Sequence, residues 1–131
     1  MPGLAQRNRD PEFAKKRFAG CHMQPNKAEK QLSELLAANS LPYRYVGNGE
    51  VVFGGKNPDF INVDGQKKLI EVFGVYWHDP FDVARRTEHF RQYGFSTLCI
   101  WEDELKEPEK VVAKIKSFNR RRISHGENRL C

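Results

Sequence analysis

Asn57-Pro58-Asp59-Phe60-Ile61-Asn62-Val63-Asp64-Gly65-Gln66-Lys67-Lys68-Leu69-Ile70-Glu71-Val72-Phe73 holds two short runs rich in β-branched and aromatic residues, Phe60 to Val63 and Leu69 to Phe73, on either side of Asp64-Gly65. An Asp-Gly pair between two such runs is a strong short-range signal for a β-hairpin. The carboxylates Asp59 and Glu71 fall one on each strand. Side chains alternate faces with a period of two, so register decides whether these carboxylates meet. A two-residue Asp64-Gly65 loop pairs Asp59 with Ile70 and sends Glu71 to the opposite face. A three-residue turn of Asp64, Gly65 and Gln66 pairs Asp59 with Glu71, the glycine absorbing the unusual dihedral angles. The second register is the expectation. Two hard oxygen ligands, the backbone carbonyl of Val72 and waters then suit Mg²⁺, which keeps several waters and usually needs only one or two protein carboxylates.

Upstream, Asn26 caps a helix expected from Lys27 to about Asn39, with Ala28, Leu32, Leu35 and Leu36 on one face and Glu29 three residues after the cap. Glu29 has two readings: it completes a capping box, or it points along the first helical turn into the acid pair. Tyr43 to Val46 and Val51 to Phe53 read as short strands around Gly47-Asn48-Gly49, and Gly54-Gly55 turns the chain toward Asp59. Downstream, a helix follows Pro80, carries Val83, Thr87, Phe90 and Tyr93 inward and ends at Gly94. Phe95 to Trp101 is a nearly continuous apolar run of the buried-strand kind, which assigns Phe95 and Trp101 to the core. Pro108 to Phe118 is amphipathic, with Val111, Val112, Ile115 and Phe118 toward the sheet. The order αββββαβα implies an α/β fold, a mixed central sheet flanked by helices on both faces.

At 131 residues, 39% hydrophobic and 30% charged, the chain has the size and composition of one soluble domain, and no apolar run approaches the roughly eighteen residues of a membrane span. Met1 to Arg9 has no apolar segment of signal-peptide type, so a cytosolic location without a membrane partner is expected. Cys21, Cys99 and Cys131 are far apart and lack Cys-x-x-Cys spacing, which indicates neither a disulfide framework nor a structural zinc. The formal charge of +5 argues only weakly for an anionic partner, but its distribution says more. Residues 1–25 form a basic arm with Arg7, Lys15, Lys16 and Arg17, residues 26–118 the folded domain, and residues 119–131 a second basic tail with Arg120, Arg121 and Arg122. The two ends read as phosphate-contacting arms or as solubilising termini.

Glu29 in Ala-Glu-Lys-Gln-Leu, Pro58-Asp59-Phe60, Gly74-Val75-Tyr76-Trp77-His78, and Tyr93-Gly94-Phe95 leading to Ile100-Trp101-Glu102 together resemble the very-short-patch-repair (Vsr-like) endonucleases. More closely, Lys56 to His78 and the following helix resemble the Vsr-related homing endonucleases of the EDxHD family, found in phages and beside inteins and introns. The resemblance spans roughly residues 26 to 118 and rests on several separated motifs in the right order. The segment Asp10-Pro11-Glu12-Phe13-Ala14-Lys15-Lys16 also resembles the small basic DNA-binding modules that such enzymes often carry.

This resemblance implies a PD-(D/E)XK nuclease core and a Mg²⁺-dependent DNA endonuclease, with Mn²⁺ as a substitute. It also implies nicking or double-strand cleavage of duplex DNA by a monomer or a DNA-assembled dimer. Carried over residue by residue, Asp59 is the essential metal ligand with the Val72 carbonyl beside it. Glu71 is the second acid, Glu29 lies near the metal through water, and His78 activates or delivers the attacking water. Asp82, or failing it Asp79, orients the imidazole, since a histidine base works best when its other nitrogen is fixed by a carboxylate. Asp79 precedes Pro80 and otherwise reads as a helix N-cap. Tyr76 and Trp77 read as core aromatics or, by the resemblance, as side chains that wedge between bases. Two departures stand out. The superfamily's lysine position is Phe73, so His78 has to do its work. The zinc-ligand positions of the Vsr enzymes are Val75, Pro80 or Phe81, and Asp103, so no structural zinc is expected. The missing zinc ligands and the basic arm argue against mismatch-directed repair nicking, whereas the missing lysine leaves open a non-catalytic DNA-binding remnant of the fold.

Overall fold

A computed structural model describes residues 24–74 and 80–121. Arg7, Lys15, Lys16, Arg17, Tyr76, Trp77, His78, Asp79 and Arg122 lie outside the described residues.

Helix α1 spans Lys27–Ala38 and begins as its sequence dictates. Asn26 Oδ1 accepts from the Glu29 amide at 2.8 Å while the Asn26 amide donates to Glu29 Oε1 at 3.0 Å, a complete capping box. Four strands follow, β1 (Tyr43–Tyr45), β2 (Phe60–Asn62), β3 (Lys68–Phe73) and β4 (Ser96–Trp101), and they lie in the order β1-β2-β3-β4. The first two pairings are antiparallel and β3–β4 is parallel, with helix α2 (Pro80–Arg91) as the crossover. A 3-10 turn over Glu102–Lys106 leads into helix α3 (Pro108–Arg120). The mixed sheet between helices matches the expected fold class.

The segment Val51 to Phe53 does not form the expected strand, and its one ladder pairing is an isolated bridge between Phe53 and Lys56. Side chains organise it as a loop instead. Asn57 Nδ2 donates to the carbonyls of Val46 at 2.8 Å and Val51 at 2.7 Å, and Arg44 pairs with Glu50 across the turn. The Phe53 ring packs on Phe90, Tyr93 and Phe95. With that segment drawn aside, β1 takes β2 as its partner.

Alternation along the strands builds two cores. Phe60, Ile70, Leu98 and Ile100 pack with Leu32 and Leu36 of α1 and Val111, Ile115 and Phe118 of α3. On the other face Phe73, Val83 and Cys99 form a smaller cluster under α2, with Trp101 half-buried against it. Cys99 is disulfide-bonded, which the cysteine spacing did not indicate. Val83, Thr87 and Phe90 face inward as expected, but Tyr93 is 45% exposed. It lies beyond the helical stripe, where the chain reverses at Gly94 with φ +88°, and rests on the rings of Phe53 and His89.

The C-terminus of α3 is held by a residue fifty positions earlier in the chain. Lys68 is buried, and its Nζ donates to the carbonyls of Phe118, Asn119 and Arg121 at 2.8, 3.0 and 2.7 Å. Asn119 Oδ1 accepts from Tyr43 Oη at 3.0 Å and Gln66 Nε2 at 3.2 Å. Arg121 therefore lies beside Lys68, the first residue of β3 and three before Glu71.

Candidate functional site

Phe60 pairs with Ile70 and Ile61 with Leu69, so the ladder continued by one residue sets Asp59 opposite Glu71, the register expected from the sequence. The loop is wider than a three-residue turn and runs from Val63 through Lys67. Asn62 Oδ1 accepts from the amides of Asp64 and Gln66, each at 2.9 Å, and Gly65 takes φ +97°.

The two acids are bonded through the backbone. The Asp59 amide donates to Glu71 Oε2 at 2.8 Å, and the Val72 amide donates to Asp59 Oδ2 at 2.8 Å. Glu71 Oε1 receives Arg86 Nε from α2 at 2.7 Å, and Arg86 Nη2 donates to the Asn57 carbonyl at 2.9 Å. The guanidinium lies 5.2 Å from the centre of the Phe90 ring. Glu29 is 2% exposed and closes the capping box, and its charge adds to those of Asp59 and Glu71.

Counting oxygens separates the roles. Both oxygens of Glu71 are occupied within the protein. Asp59 Oδ1 and Glu29 Oε2 have no hydrogen-bond partner among the described residues, and neither is sealed from solvent. Burial, then the charges of Glu71 and Glu29, push the Asp59 carboxyl well above the usual range, against the pull of the Val72 amide and Arg86. Burial likewise raises Glu71, with Arg86 opposing. Three carboxylates around one guanidinium leave uncompensated negative charge in a low-dielectric site, which favours a bound cation. Among the described residues no three His, Cys, Asp or Glu side chains form a metal cage by themselves. Two open oxygens suit an ion that takes most of its shell from water.

Asp82 lies in the first turn of α2 and is ion-paired with Arg85, while its expected partner His78 is outside the described residues. Among the described residues no helix is long and apolar enough to cross a membrane.

No protein-family model matches the chain, and no curated protein does. Among solved structures, the catalytic domain of the homing endonuclease I-Bth0305I superposes with a TM-score of 0.56 and 29% identity, covering 70% of this chain and 91% of that domain. The fold is homing-endonuclease-like. Within this homing-endonuclease-like fold, sequence reasoning missed Arg86 and Asn57. A signal for Arg86 was present: Val83, Arg86, Thr87 and Phe90 follow the i, i+3, i+4, i+7 spacing of an inward stripe, and a cation on such a stripe needs a buried anion. For Asn57 the signal was weaker, a polar residue just before Pro58.

Proposed function

We propose that this chain is a Mg²⁺-dependent DNA endonuclease of the homing type, Vsr-like and of the EDxHD kind, that hydrolyses phosphodiester bonds in duplex DNA. The observation that carries this reading is the pair of carboxylate oxygens without a hydrogen-bond partner among the described residues, Asp59 Oδ1 and Glu29 Oε2, in a cluster with excess negative charge. The homing endonuclease of similar fold supplies the reaction class.

Asp59 is the carboxylate that would hold the ion, with Glu29 acting directly or through water and the Val72 carbonyl beside them. A Mg²⁺ or Mn²⁺ ion held there supplies positive charge for the developing charge on the phosphate and acidifies bound water. The Val72 amide fixes one oxygen of Asp59 and so aims the other. His78 takes the proton of the attacking water, and Asp82 or Asp79 fixes its imidazole. Asp82 stands four residues after His78, at the start of α2. Tyr76 and Trp77 meet the bases, and Arg7, Lys15, Lys16, Arg17, Arg120, Arg121 and Arg122 contact phosphates. One such site per chain yields a nick, and a DNA-assembled pair yields a double-strand cut.

The test is conversion of supercoiled plasmid to open-circle or linear form with Mg²⁺ by the wild type, Asp59→Ala and His78→Ala. Cleavage by the wild type that is lost in both variants is the expected result. A wild type that binds duplex DNA yet leaves several substrates intact would overturn the reading in favour of a DNA-binding remnant.

A further inference from the structure

The acid expected to be the second metal ligand has both of its oxygens bonded within the protein. Glu71 is 2% exposed, with one oxygen on the Asp59 amide and the other on Arg86. Arg86 is equally committed, because its second nitrogen holds the Asn57 carbonyl two residues before Asp59 and its Cζ lies 5.2 Å from the centre of the Phe90 ring. Asn57 in turn ties down the loop through the carbonyls of Val46 and Val51. The chain Phe90–Arg86–Glu71–Asp59 thus runs from a buried ring of α2 to the backbone of an acid that keeps one oxygen without a partner among the described residues. An ion taken directly by Glu71 would have to share an oxygen with the Asp59 amide or with the half-buried Arg86 guanidinium, weakening a bond that holds the site and setting the ion beside a fixed positive group.

We propose that Glu71 and Arg86 form a positioning clamp that aims Asp59, and that Glu71 does not itself bind the metal. This rests on the metal-dependent reading above. A planar guanidinium is suited to the task because it reaches Glu71 and the Asn57 carbonyl at once, which a lysine ammonium cannot do with the same fixed geometry. The role of Glu71 is to present an acceptor to the Asp59 amide, and a neutral acceptor of the same shape serves that purpose.

The test is Mn²⁺ binding without DNA, followed by electron paramagnetic resonance, alongside plasmid cleavage and thermal melting. Removing both buried charges together avoids stranding one of them. Glu71→Leu/Arg86→Met takes away the acceptor, and its Mn²⁺ affinity and kcat are expected to fall roughly tenfold or more, as for other groups that orient metal ligands, with KM for DNA unchanged. Glu71→Gln/Arg86→Met restores an acceptor for the Asp59 amide and recovers most of that loss. Arg86→Lys keeps the charge without the fork and lowers kcat at unchanged KM. Equal Mn²⁺ affinities in the Leu and Gln double variants, or wild-type kcat in Arg86→Lys, would overturn the clamp. A wild type that binds no Mn²⁺ would overturn the metal-dependent reading and the clamp with it, whereas binding without cleavage leaves the clamp to be decided by the affinities alone.

Discussion

Replacing Lys68 with methionine isolates the interaction that closes α3. Methionine keeps a similar length and volume but removes three hydrogen bonds, to the carbonyls of Phe118, Asn119 and Arg121. Charge-assisted bonds contribute about 1.5–3 kcal/mol each, so the gross loss of three is roughly 4.5–9 kcal/mol. Against this, the wild type takes an ammonium group out of water, which costs several kcal/mol and is recovered in the variant. The carbonyls do not suffer equally. Arg121 is exposed and Asn119 half-buried, so both can turn to water, while the Phe118 carbonyl accepts its bond in a buried setting. The Phe118 carbonyl keeps the Arg121 amide at 3.2 Å, so what it loses is one buried charge-assisted bond, about 1.5–3 kcal/mol, in line with the largest effects of a cation at a helix C-terminus. The expected loss is therefore about 2 kcal/mol, or roughly 6–8 °C in Tm for a domain of this size. Urea unfolding followed by circular dichroism measures it, and hydrogen exchange should show the last turn of α3 losing protection first. A change below about 0.5 kcal/mol, or a gain in stability, would refute the reasoning, because desolvation of the ammonium would then equal or exceed its bonds.

Asp59→Asn should stabilise the metal-free protein at neutral pH. The folded-state pKa of Asp59 is raised, so the wild type loses stability as pH rises through the unfolded value near 4 toward the folded one, and asparagine cannot ionise. A gain of roughly 0.5–2 kcal/mol at pH 7 that vanishes in acid is expected in chemical denaturation, and a less stable variant at pH 7 would count against the charge repulsion. Tyr43 is pushed up to about 12, first of all by burial, so its contribution is present below about pH 10 and lost between 10 and 12. Tyr43→Phe should flatten the alkaline fall in Tm over that window, and an identical fall would exclude Tyr43 as its source. Changing Arg120, Arg121 and Arg122 to glutamine should reduce the salt slope of duplex binding by about 0.9 for each phosphate that the arginines neutralise, and an unchanged slope would reject the tail as a DNA arm.

What the sequence settled by itself was local. Asp64-Gly65 between two β-prone runs determined the hairpin and put one acid on each strand, while the register that sets Asp59 opposite Glu71 was one of two that the sequence allowed. Asn26 and Glu29 determined where α1 begins, and the apolar run to Trp101 determined the buried strand. Each of these depends on residues within a few positions of one another, where steric preference and side-chain alternation act without reference to the rest of the chain. Tertiary structure decided the partners of the polar groups. Docking of α2 on the sheet carried Arg86 to Glu71, and the return of α3 brought its C-terminus to Lys68. Packing of Phe53 among Phe90, Tyr93 and Phe95 left β2 as the partner of β1. A buried donor or acceptor has to be satisfied, but which group satisfies it depends on which surfaces meet. The acids were therefore legible in the sequence, while which of their oxygens stayed open was decided by the fold.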